Sequence, residues 1–173
     1  KRLVGVSYYE IAYESGHPDW TRCGERFDSL DFGLDLALDD GSVVGLIWDQ
    51  GRATYSRYGV SVEGTLRDLL ESPAIWDVTE NSRWARYIGK RIERVALYWI
   101  PDNPGQSVHL LPQDVELVFE NDEKIWISAA QCSERDDGLA FEIDEIVVTF
   151  DTDVARRYRM GSHMPSEGHY WRL

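Results

Sequence analysis

Carboxylates are the residues of this chain whose type and spacing offer chemistry. Asp35 with Asp39, Asp39-Asp40, Asp136-Asp137 and Glu142 with Asp144 are close pairs in sequence. A glycoside hydrolase needs two carboxyls facing each other across roughly 5 to 10 Å. An acidic chain offers many such pairs, and solvated strand faces and turns explain them more simply. A carboxylate-dependent hydrolase is therefore a remote alternative. His17 and His109 lie far apart and build no zinc spacing. There is no phosphate-cradling glycine loop and no GxSxG elbow. Cys23 and Cys132 have neither metal nor redox spacing and read as two reduced, half-buried thiols rather than a disulfide. No catalytic residue, cofactor or metal ligand is assigned, and the chain is not read as an enzyme.

The distribution of charge is sharper than any motif. The net charge is -13, which speaks against nucleic acid or an anionic membrane as a direct partner. From Asp114 to Asp153 thirteen acids face only Lys124 and Arg135. Upstream, Arg83, Arg86, Lys90, Arg91 and Arg94 form a basic island. Neutralisation between neighbouring strands takes part of this charge, and the surplus gives a one-signed field that steers a basic partner. Asp122, Glu123, Glu134, Asp136, Asp137, Glu142 and Asp144 are the expected contact residues, with the loop "QCSERDDG" as the insertion element.

Seven tryptophans and nine tyrosines supply large rings for a core between sheets and short helices. Trp20, Tyr55, Tyr58 and Trp76 lie in less regular segments and are candidate interface anchors. A row of such rings on one sheet face would make a carbohydrate-binding β-sandwich, the main alternative.

Period-two patterning must position these groups. "FGLDLALD" puts Phe32, Leu34, Leu36 and Leu38 on one face, with Asp35 and Asp39 on the other. Asp40-Gly41 turns the chain into "SVVGLIWD". "DVELVFENDEKIWISA" predicts a second hairpin turning at Asn121-Asp122, with Val115, Leu117 and Phe119 facing Ile125 and Ile127. "RVALYWI" is another strand, and "DEIVVTF" one buried on both faces. Short helices are predicted after Thr65 (Leu66, Leu69, Leu70), around Trp84, Tyr87 and Ile88 with Gly89 ending it, and from Thr152. The fold class is α+β and β-rich: a mainly antiparallel sheet or two-sheet sandwich with two or three short edge helices.

Residues 1–160 read as a single globular domain. Gly161-Ser162-His163-Met164 matches the remnant of a cleaved purification tag. Residues 165–173 then read as an N-terminal leader displaced from the front of the chain, with Leu173 joined to Lys1. No apolar run spans a membrane, and a cytoplasmic monomer or homodimer is the expectation.

"DVTENSRWARYIGKRIERVALYW", "LVFENDEKIWISAAQ" and "DEIVVTFDTDVARRY" give the chain a helix, a step into a strand, a hairpin and an acidic strand. In this texture it resembles the small acidic immunity proteins of bacterial contact-dependent, type VI and related polymorphic toxin systems. The resemblance implies a non-catalytic inhibitor that binds a cognate, basic protein toxin and blocks its active site without turnover. It carries over no individual residue.

Overall fold

Alternating apolar residues build strands wherever one face can be buried, and eleven of them organise the described residues. The computed structural model describes residues 1–13, 16–49, 58–99, 112–133, 138–161 and, as backbone, 165–171. The strands are β1 (Leu3–Glu10), β2 (Asp28–Leu30), β3 (Gly33–Leu38), β4 (Val43–Asp49), β5 (Gly59–Glu63), β6 (Ala74–Asp77), β7 (Ile92–Tyr98), β8 (Asp114–Phe119), β9 (Lys124–Cys132), β10 (Leu139–Thr149) and β11 (Pro165–Trp171). They form two antiparallel sheets, in the orders β5-β4-β3-β1-β6 and β11-β7-β8-β9-β10-β2. Two short α-helices accompany them, α1 (Ser82–Ala85) and α2 (Thr152–Arg157).

Both predicted hairpins form. Leu34 pairs with Leu46 and Leu36 with Val44, across a turn where Gly41 takes φ 83°. Val115 pairs with Ile127 and Leu117 with Ile125. Asn121 and Asp122 both carry positive φ at the tip, a conformation Asn and Asp tolerate better than most residues. Leu34, Leu36, Leu46 and Val60 of the first sheet share one core with Val115, Leu117, Ile127 and Ile146 of the second. Phe27, Trp126, Val147 and Met160 form a second cluster, to which α2 contributes Ala155. Strand β10 serves both clusters, so Ile146, Val147 and Val148 are all buried, as their continuous apolar run predicts.

Three expectations are corrected. Asp35 is buried rather than solvated, because the first sheet's outer face is covered where residues 65–68 cross it. There it accepts hydrogen bonds from Tyr9 Oη at 2.7 Å, Thr65 Oγ1 at 2.6 Å and the Leu66 amide at 2.9 Å. Gly45 permits this crossing, since a Cβ would fall 2.3 Å from the Gly64 carbonyl oxygen. The helix expected after Thr65 is a single 3-10 turn, Leu66–Asp68, capped by the Thr65 hydroxyl. Leu69 is left 58% exposed, outside any apolar stripe. The helix around Trp84 spans one turn, yet it buries Trp84 and is followed by buried Tyr87.

The third correction is the cysteines. Cys23 and Cys132 are joined in a disulfide, with Cα atoms 6.3 Å apart and a sequence separation of 109. The sequence spacing hides this because antiparallel pairing folds distant segments together. Met160 is buried, and the Gly161 amide donates to Asp114 Oδ2 at 2.7 Å. Ser162-His163-Met164 and the expected junction of Leu173 with Lys1 lie outside the described residues.

Closing a loop of this length should contribute about 2 to 5 kcal/mol. Reducing the protein, or replacing Cys132→Ala, is expected to lower the melting temperature by roughly 10 °C, and the variant should then ignore reductant. An unchanged melting temperature on reduction of the wild type would show that the thiols are not joined.

Candidate functional site

The predicted acidic contact residues are spread over the second sheet. Asp122 and Glu123 sit at the β8–β9 tip, and Lys90 forms an ion pair with Glu123. Glu142 and Asp144 lie in the irregular part of β10 between Phe141 and Ile146, opposite Ala129 and Ala130 of β9. Six residues of β9 separate that point from the tip, about 20 Å of extended chain. Glu134, Asp136 and Asp137 lie outside the described residues. The structure therefore gathers Asp122 with Glu123 and Glu142 with Asp144, but does not join the two pairs.

Much of the acidic stretch is consumed internally. Asp114 is buried and accepts from Ser128 Oγ at 2.6 Å. Glu116, 1% exposed, is held between Lys124 at 2.5 Å and Arg94 at 3.4 Å. Glu120 pairs with Arg2 and Glu145 with Arg22. Asp151 caps α2 through the amides of Asp153 and Val154. The basic island is absorbed in the same way, with Arg83 bound to buried Asp28 and Arg86 donating to the Phe150 carbonyl oxygen.

A polar hub that the sequence spacing conceals surrounds Arg22. Its guanidinium contacts Asp19 at 3.1 Å and Asp31 at 3.6 Å, besides Glu145. Asp31 also accepts from the Ile11 amide at 2.9 Å. Glu10 lies beside this hub, 1% exposed. Its Oε2 accepts from the Asp19 amide at 3.2 Å, while its Oε1 has no hydrogen-bond partner. Burial first, and then the nearby Asp31 and Asp19, push its carboxyl up to about 7. A raised carboxyl beside a second acid is what a hydrolase requires. A general acid must also reach its substrate, and Glu10 is sealed.

An apolar cavity lies between the sheets. This cavity of about 480 Å³ is lined by residues including Leu36, Leu46, Val60, Leu97, Val115 and Leu117. The sequence shows which faces are apolar but not that the two sheets leave an opening between them here. Most rings pack elsewhere, in edge contacts among Tyr8, Trp20, Trp76, Trp84 and Phe150.

Trp20, Trp84 and Trp126 are buried, and Tyr13, at 44%, is the exposed aromatic among the described side chains. No row of rings lies on a sheet face there. Of the expected anchors, Trp20 is buried, Tyr58 and Trp76 are half-buried, and Tyr55 lies outside the described residues. Among the described residues, no three His, Cys, Asp or Glu are placed to hold a metal ion, and no helix is long and apolar enough to cross a membrane. The chain matches no family model, no curated protein and no solved structure.

The Glu10 carboxyl keeps its proton to higher pH in the folded chain than in the unfolded one. Its contribution to stability is therefore complete below about 4.5 and is lost as pH rises through about 7. Glu10→Gln is expected to raise the melting temperature by several degrees at pH 8 and to leave it unchanged at pH 4. Superimposable profiles of melting temperature against pH for the two proteins would contradict this.

Proposed function

We propose that the protein is a non-catalytic binding protein of the immunity type, a two-sheet sandwich that captures a basic partner toxin and blocks it without turnover. The observation that carries this reading is where the cations go. Lys1, Arg2, Arg22, Arg83, Lys90, Arg94 and Lys124 are all held in ion pairs within the chain. Glu25, Asp68, Glu71, Glu80, Asp122 and Asp144 are exposed and make no ion pair among the described residues. Arg67, Arg156 and Arg157 are also exposed, but the net charge of -13 leaves a surplus of acids, and such a field accelerates encounter with a basic surface. The likeness to small acidic immunity proteins supports the same reading, and the absence of an exposed aromatic row among the described side chains favours it over a carbohydrate-binding module.

The contact surface centres on Asp122 and Asp144 in this proposal, because their neighbours Glu123 and Glu145 are already paired. The buried disulfide supports an oxidising compartment, in place of the cytoplasm expected from composition.

The test begins with the protein as bait and mass spectrometry of what it retains, followed by association kinetics with the purified partner. A basic protein bound one to one, with an on-rate that falls as salt is added, is the expected result. Asp122→Asn, which keeps a side chain suited to the positive φ at the tip, with Asp144→Lys should slow association tenfold or more at low salt while shifting the melting temperature by no more than a degree or two. A partner whose binding ignores both salt and the double substitution would remove the acidic surface from the proposal.

A further inference from the structure

We propose that the aliphatic cavity between the sheets binds a single unbranched alkyl or acyl chain carrying an uncharged head group. This site is independent of the acidic surface, and neither proposal depends on the other. The volume, about 480 Å³, falls within the range of small-molecule sites. A methylene takes roughly the volume of a water molecule, about 30 Å³, so a chain of roughly ten to sixteen carbons fills it.

The lining decides the chemistry. Among the described residues no charged side chain and no aromatic ring lines it, so a planar ligand finds nothing there to stack on and an ion finds no partner. The one described hydroxyl, Ser61 Oγ, already donates to Glu63 at 2.6 Å. What remains is leucine, valine, isoleucine and proline, which accept an aliphatic chain by contact alone.

The mouth decides the head group. Val62 lines the cavity yet is 55% exposed, which puts the opening along edge strand β5. A carboxylate emerging there would meet the negative field of a chain with net charge -13. An alcohol or glycerol ester meets no such repulsion.

The experiment uses the full chain, stripped of bound lipid on a hydrophobic resin and titrated calorimetrically with n-alkan-1-ols from hexanol to hexadecanol. Each added methylene is expected to tighten binding about fourfold, up to a cut-off between roughly ten and sixteen carbons. Val60→Phe and Val115→Phe, which fill the cavity, should weaken dodecanol binding at least tenfold and shorten the cut-off, while the melting temperature holds or rises. Should either variant fail to fold, the wild-type series still decides. Failure of every alkanol to bind, or affinity that climbs without a cut-off, overturns the site. Tighter binding of dodecanoate than of dodecanol overturns the uncharged head group.

Discussion

Asp28 is the group on which the rest of the structure depends. It is 2% exposed, and an isolated carboxylate at such a position would be costly to bury. Burial raises its pKa, while Tyr8 and Arg83 act against that rise. Tyr8 Oη donates to it at 2.7 Å from β1, and Arg83 of α1 forms an ion pair with it. Its own strand, β2, pairs with β10 in the second sheet, whereas β1 belongs to the first. One carboxylate therefore fixes both sheets and a helix relative to each other. Trp84 extends the arrangement by donating from Nε1 to Tyr8 Oη, so the aromatic part of the core is also ordered around it.

The hairpins were legible because their signals are local. Leu34, Leu36 and Leu38 alternate over five residues, and Gly41 and Asn121-Asp122 mark the turns. Asp35 was not legible: period two assigns a face, but only tertiary packing decides whether that face meets water. The same limit hid Glu10 and Arg22, whose partners Asp19, Asp31 and Glu145 are scattered along the chain. The disulfide and the cavity are likewise products of topology. Alternating leucines and valines look identical whether the opposite sheet fills the gap or leaves it open.

The charge pattern illustrates how misleading a linear count can be. Thirteen acids within forty residues suggest one continuous strip. Glu116 sits near the start of that stretch, buried and gripped by two cations. Asp114 braces the start of β8, and Asp151 is spent on capping a helix. Alternation sends successive side chains to opposite faces of the sheet, so a run of acids in sequence is divided between interior and surface.

Strand β2 has a consequence for biogenesis. Ile146 lies opposite Leu30, so β2 waits for a partner synthesised more than a hundred residues later. Pairing of such distant segments must first overcome the entropy of closing a very long loop, and folding of this kind is slow. Until β10 emerges, Leu30 and the backbone of β2 have nothing to pair with in the second sheet, and an unpaired strand invites association with other nascent chains. The bond between Cys23 and Cys132 joins the same two regions. Oxidation after synthesis would seal that late closure and make it hard to reverse.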